Sequence, residues 1–234
     1  MRNAVGPLVA LLAAAGASVL ALRTADLVWK LAVPVACAAA LMAHRPDDRR
    51  RWGKIAPVLL AFAFAALGDA LLSRRAGRVS WFIGGIAAYL ASHLGYLTYA
   101  LRHGRLHRPT LILALAAFLG YALWQLGRHV PDPALRVAVI TYGVVSCVSL
   151  AAAAGLRQGP LSKWLLVGGI GLLVFSDTLI SFNEFLRYRA WNAWILPTYY
   201  LALIAIAGAV LTRGPTPDGA ATAGPEVARS PRAC

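Results

Sequence analysis

Residues 163–187, KWLLVGGIGLLVFSDTLISFNEFLR, decide the fold. An apolar run of this length suits the roughly 20 residues that a helix needs to cross the hydrocarbon core of a bilayer. Yet it carries Asp177 in its second half. A charge in mid-span costs roughly 2.5–3.5 kcal/mol on insertion scales, so such a residue usually faces a bundle interior or a watery cavity and carries function. Residues 59–73, LLAFAFAALGDALLS, repeat the pattern around Asp69. The two sites share a frame: Gly68-Asp69-Ala70-Leu71-Leu72-Ser73 against Ser176-Asp177-Thr178-Leu179-Ile180-Ser181.

Six further apolar runs flank these two. Together they give eight candidate spans, over 4–22, 27–43, 55–73, 81–101, 110–128, 134–155, 163–187 and 192–212. The whole chain agrees: 59% of its 234 residues are apolar and 14% are charged, where a soluble domain is about half apolar and a quarter charged. Mean hydropathy is +0.65. No polar stretch is long enough to build a water-soluble domain. The expected fold is all-α, a polytopic bundle of eight transmembrane helices over residues 1–212. Residues 213–234 are Pro/Gly/Ala-rich without apolar periodicity and read as a disordered tail. The first span ends in small residues, GASVLA, but its n-region carries only Arg2. It therefore reads as an uncleaved helix rather than a signal peptide.

The net charge is +14. In a soluble chain that would point to nucleic acid. Here the Lys and Arg residues sit in short loops beside lipid headgroups, so membrane lipids rather than nucleic acid are the expected partners. Eight spans put both termini on one side, which carries 14 of the Lys and Arg residues against 9 on the other. That bias predicts a cell (inner) membrane protein with both termini cytoplasmic. Cys37, Cys147 and Cys234 show neither metal nor redox spacing, and the first two read as packing residues. Oligomeric state is not encoded legibly.

A four-plus-four pseudo-repeat is suggested by spacing. Asp69 and Asp177 recur in the third and seventh spans; Trp81 precedes Tyr89 by the same interval as Trp191 precedes Tyr199. An even number of spans between the halves gives them the same orientation, related by an axis along the membrane normal. That symmetry could bring the two carboxylates face to face. Chance similarity between Leu/Ala/Gly-rich helices is the alternative.

Polar residues fall on helical stripes, three or four apart: Asp177, Ser181 and Glu184; Tyr89, Ser92, His93 and Tyr96; Asp69 and Ser73; Tyr142, Ser146 and Ser149; and Tyr121, Trp124 and Gln125. Any one stripe could simply hydrogen-bond helix to helix. Helix direction, however, sends Asp69, Asp177, Asn183, Glu184, Tyr89 and Tyr199 to the same half of the membrane. Lys30, Arg74, Arg75, Arg78, Arg187 and Arg189 lie at that end. A basic rim over a carboxylate-lined cavity suits an amphiphile with an anionic headgroup, since arginine binds phosphate bidentately; ordinary snorkelling is the alternative. His93 could shuttle protons or be a satisfied core histidine. The donors lack the spacing of a metal motif, and there is no phosphate loop or nucleophile elbow. No metal or cofactor is expected. GGIG at 168–171 reads as close helix packing.

ALGDALLS around Asp69 with WFIGGIAAYLASHLGYLTYA after it, GGIGLLVFSDTLISFNEF around Asp177, and ILPTYYLALIAIA near the end resemble the YhhN-like lysoplasmalogenase family of eight-helix membrane hydrolases. The resemblance covers spans three, four, seven and eight; it is looser elsewhere and absent from the tail. It implies hydrolysis of the vinyl ether bond of lysoplasmalogens (lysoplasmenylethanolamine or -choline) to a fatty aldehyde and a glycerophospho-alcohol. On the matching positions it implies a polar core of Asp69, His93, Asp177, Asn183 and Tyr199.

The chemistry suits paired carboxyl groups. A vinyl ether hydrolyses by proton addition to the carbon distal to oxygen, giving an oxocarbenium ion that water captures. The hemiacetal then collapses. One acid must be protonated near neutral pH, a state that burial and a neighbouring carboxylate both favour. Glycosidases use the same division of labour. Candidate catalytic residues are thus Asp69 and Asp177, with Tyr89, His93, Asn183 and Tyr199 orienting them or water. Candidate substrate-binding residues are Lys30, Arg74, Arg78, Tyr96, Glu184 and Arg187. Two rival readings are a proton-coupled transporter of a small amphiphile and a non-catalytic lipid-binding membrane protein. Against the transporter, Pro34 and Pro57 have no partners in the other half, although Pro197 interrupts the last span.

Overall fold

A computed structural model describes residues 5–44, 49–130 and 132–213. The proposed tail, beyond Arg213, lies outside the described residues, as does Cys234. Eight helices follow in order: α1 (Val5–Thr24), α2 (Leu27–Ala43), α3 (Arg49–Ser73), α4 (Val79–His103), α5 (Arg108–Tyr121), α6 (Pro133–Ala154), α7 (Pro160–Phe185) and α8 (Asn192–Leu211). α5 runs on through a π-helical turn, Ala122–Leu126, into the short turn Gly127–His129. A helix lies at each of the eight expected spans.

Local chemistry sets the helix starts. Asp26 caps α2 by accepting from the Val28 amide. Asp132 caps α6 by accepting from Ala134 and Leu135, with Pro133 in the first turn. Each satisfies donors that a helix N-terminus leaves free. Pro160 opens α7, where its missing N–H costs nothing. Pro197 lies inside α8 without ending it.

Five helices are long and apolar enough to cross a membrane: α1, α3 from Trp52, α6, α7 and α8. The other three fall short for identifiable reasons. α2 is apolar but has 17 residues. The π turn cuts α5 to 14 residues. α4 has 25, but buries Ser92, His93, Tyr96 and Tyr99 on its inner face, and those polar groups lower its hydropathy. The chain is an integral membrane protein of all-α, polytopic architecture.

The helices pack in a pattern that repeats after four. α1 lies on α2, α2 on α3 and α3 on α4; α5 lies on α6, α6 on α7 and α7 on α8. Between the halves α4 packs on α6, and α8 on α2. One seam breaks the symmetry. α1 also packs on α8, whereas among the described residues α5 has a substantial seam with α6 only. The second half is therefore open where the first is closed, and a cleft forms between α4, α5, α6 and α7.

The densest packing lies on the closed side. Cys37, Leu41, Phe62, Tyr200, Leu203 and Ile206 share one buried cluster. Of the glycines at 168, 169 and 171, Gly169 makes the close approach: a Cβ there would stand 3.0 Å from the Ala202 carbonyl oxygen. At one end of the bundle the α4–α5 and α6–α7 loops pair through their backbones, with Arg105 N–H on Gly155 O and Arg157 N–H on His103 O, both 3.0 Å. At the opposite end, Ala25, Ala76 and Arg187 turn the chain tightly with left-handed backbones (φ 54°, 41° and 55°). Most of the candidate site residues gather toward that second end.

Candidate active site

Five carboxylates fall within the described residues. Asp26 and Asp132 are used as helix caps. Glu184 accepts from Arg75 Nη2 at 2.7 Å. Asp69 and Asp177 remain for the interior.

Asp69, on α3, is 7% exposed. The Tyr89 hydroxyl of α4 donates to its Oδ1 at 2.6 Å. The Tyr199 hydroxyl of α8 donates to its Oδ2 at 3.0 Å. The two rings meet edge to face, 6.0 Å apart. Gly68 makes room: a Cβ there would lie 2.9 Å from Tyr89 Cζ, closer than real Cβ contacts. Lys30, half-buried on α2, is near enough to act electrostatically on Asp69.

Asp177, on α7, keeps 20% of its side chain exposed. The Tyr142 hydroxyl of α6 donates to its Oδ2 at 2.6 Å. His93 Nε2 lies 3.4 Å from the same oxygen, and His93 is 2% exposed. The His93 ring stands edge-on to Tyr142 at 5.2 Å, and its Nδ1 has no partner among the described residues. Asp177 Oδ1 takes no hydrogen bond from the described residues, and Asp177 lines the cleft.

That cleft is a cavity of ≈ 450 Å³ lined by Tyr89, Tyr142 and Asp177 at mid-depth. Toward the tight-turn end its walls are Phe82, Tyr121, Ser181 and Phe185; toward the bundle centre they are Ala114, Ser146, Cys147, Leu150 and Val174. The walls are predominantly apolar. The Tyr121 and Ser181 hydroxyls share a 2.7 Å hydrogen bond. Above them the rim is polar. Arg75 lies 5.3 Å over the Phe82 ring, and its hydrogen bond to Glu184 raises the guanidinium pKa above its ordinary value. Asn183 Nδ2 donates to Glu184 at 3.4 Å and Asn192 Nδ2 donates to Asn183 at 3.3 Å.

The expected residues divide into five groups. Asp69, Tyr89 and Tyr199 meet, and Asp177 meets His93. No hydrogen bond joins the two carboxylates; Tyr89 stands between them, its hydroxyl on Asp69 and its ring in the cavity that Asp177 lines. Asn183 and Glu184 belong to the rim with Arg75. Tyr96 is buried against Phe62 and His93, its hydroxyl unpartnered among the described residues and apart from the cavity. Arg74, Arg78 and Arg187 are exposed at the same end. Tyr142 is the partner that the candidate set lacks. Its stripe with Ser146 and Ser149 was the available signal. The repeat offers no help, since the matching stretch of α2 is apolar.

A sequence model of the YhhN family matches residues 25–210. The chain is 30% identical to Lysoplasmalogenase TMEM86B of Sus scrofa over 194 residues, 73% of this chain and 80% of that protein. It is 28% identical to a Lysoplasmalogenase of Mycobacterium bovis, and equally to one of Mycobacterium tuberculosis, over 82% of this chain and 73% of each relative. No solved structure matches.

Proposed function

The chain belongs to the YhhN family, and from that premise we propose that it is a membrane hydrolase cleaving the vinyl ether bond of lysoplasmalogens by carboxyl acid/base catalysis. One observation carries the reading: the cavity presents its features in the order in which such a substrate presents its parts. A polar rim with Arg75 and Asn183 comes first and suits a phospho-headgroup. Asp177 comes next, level with an ether bond one glycerol below the phosphate. The apolar end at Cys147, Leu150 and Val174 then suits the alkenyl chain.

In this reading Asp177 is the acid. Tyr142 occupies Oδ2, leaving Oδ1 to carry the proton into the cavity. Proton transfer from Oδ1 to the alkenyl carbon distal to oxygen gives the oxocarbenium ion and an Asp177 carboxylate beside it. The attraction within such a pair is stronger where water is excluded. Water then adds to the cation at the carbon bonded to oxygen and releases a proton. Asp177, or His93 through Asp177, accepts it. The hemiacetal breaks its carbon–oxygen bond to the glycerol, yielding aldehyde and glycerophospho-alcohol. Asp69, which accepts from Tyr89 and Tyr199, acts through Tyr89, whose place at the cavity it fixes.

Aldehyde release tests the reading. Purified protein would receive lysoplasmenylethanolamine, with a saturated ether lysolipid as control. The expected result is aldehyde from the vinyl ether alone. Translocation of unaltered lipid in proteoliposomes without aldehyde would instead support a carrier. The excess of Lys and Arg on the side of the termini favours a cytoplasmic position for both, with the cavity rim on the opposite face. Reporter fusions at each terminus check that.

A further inference from the structure

We propose that Phe118 is a specificity-determining residue that confines the site to lipids with a single chain. The proposal rests on the function proposed above. Beside the reaction cavity lies a second groove of ≈ 510 Å³, on the outer side of the α5–α6 seam, lined by Leu115, Leu119, Leu123, Ile140 and Val144, with Arg136 at its rim end. Phe118 lines both spaces. Its ring is seated on Gly143, where any Cβ would collide with it, and Gly143 follows Tyr142, the donor to Asp177. The ring therefore forms the partition at the depth of the reacting bond.

Each space alone is large enough for an elongated apolar ligand, within the range of roughly 300–1,000 Å³ of small-molecule sites. A lysolipid has one chain and fills the inner cavity. A diradyl lipid carries a second chain one glycerol carbon away, and a volume of ≈ 450 Å³ does not hold two such chains. The outer groove runs alongside at that depth and is apolar, but Phe118 closes the way across. Removing the ring joins the two spaces and gives the second chain a berth. Phe118 sits in the one substantial seam of α5 among the described residues, so the milder Phe118→Leu, which keeps an apolar side chain against Gly143, guards against loss of that seam.

Two measurements test this. Binding of 1-O-alkyl-lysoglycerophosphoethanolamine and 1-O-alkyl-2-acyl-glycerophosphoethanolamine, neither of them cleavable, is compared by native mass spectrometry on wild type, Phe118→Ala and the milder Phe118→Leu. Wild type is expected to favour the lysolipid by at least about tenfold, and Phe118→Ala to bind the two within about threefold, with Phe118→Leu between. Aldehyde release from the corresponding vinyl ethers should follow the same order. A wild-type preference retained in both variants, or wild type binding both lipids alike, overturns the proposal. A shift in binding without aldehyde from any lipid by wild type would uphold the partition and reject the hydrolase reading.

Discussion

Tyr89 and Tyr199 occupy corresponding places in the two halves of the chain, yet both donate to the same carboxylate, Asp69, one to each oxygen. A symmetric bundle would give each Asp one of these tyrosines. Asp177 instead takes its hydroxyl from Tyr142, with His93 Nε2 3.4 Å from the same oxygen. The pair of carboxyl groups is thereby differentiated: Asp69 is buried and doubly bonded, while Asp177 lines the cavity with one bonded oxygen and one that has no partner among the described residues.

Tyr89→Phe and Tyr199→Phe should each destabilise the protein by about 1–3 kcal/mol, because each leaves a buried carboxylate oxygen without a donor. The double variant should lose more than the two single losses together, since Asp69 then keeps no hydroxyl. Thermal unfolding in detergent, followed by tryptophan fluorescence, checks this. Additive losses would mean that the two hydroxyls act independently of each other.

The two Asp→Asn variants should behave differently. Asp177→Asn cannot deliver a proton, and a general acid contributes about 10²–10⁴-fold, so turnover should fall by that much while binding of a saturated ether lysolipid is retained. Asp69→Asn replaces an acceptor oxygen with a donor NH₂ facing a tyrosine hydroxyl. It should lower both stability and turnover, the latter by less than Asp177→Asn. Steady-state aldehyde release with parallel melting curves separates them. Equal kcat loss without destabilisation in Asp69→Asn would make Asp69 the acid's equal.

Gly68 supplies a geometric test that touches no polar atom. Alanine there places Cβ 2.9 Å from Tyr89 Cζ, so the ring must shift and its hydroxyl leave Asp69. Overpacking of this kind costs about 1–3 kcal/mol, and turnover should fall about tenfold or more. Pairing Gly68→Ala with Tyr89→Leu should recover stability but not activity. Recovery of activity in the pair would remove Tyr89 from the site.

The fold was legible because each span carries its own signal. Apolar length is a local property, and all eight helices lie where it predicts; the Asp26 and Asp132 caps are equally local and fix the starts of α2 and α6. The gathering of Asp69, Asp177, Tyr89 and Tyr199 at one depth was also legible, since helix direction and position along the helix set depth. Partnership was not. Which tyrosine reaches which Asp depends on how α4, α6 and α8 rotate against one another, and that is decided by packing between helices far apart in sequence. The repeat would have pointed Tyr199 to Asp177. The opening between α5 and α4 was equally hidden, because it arises from a seam that one half forms and the other does not. Asn183 and Glu184 illustrate a further limit. Glu184 continues the Asp177 stripe, but it and Asn183 lie near the end of α7, outside the cavity lining and among loop residues.

The rim offers the final prediction. Arg75 and Glu184 are 33% and 21% exposed, so their ion pair contributes little to stability, about 0–1 kcal/mol. Its functional consequence should be larger, because Glu184 occupies the guanidinium that a phospho-headgroup would need. Arg75→Ala should raise KM for a lysolipid several-fold with kcat nearly unchanged, the mark of a contact equal in ground and transition states. Glu184→Gln frees the guanidinium and removes a negative charge from the rim, so it should lower KM. Its benefit should vanish in the Arg75→Ala background. A KM that rises in Glu184→Gln would show instead that the carboxylate positions Arg75 for the substrate rather than competing with it.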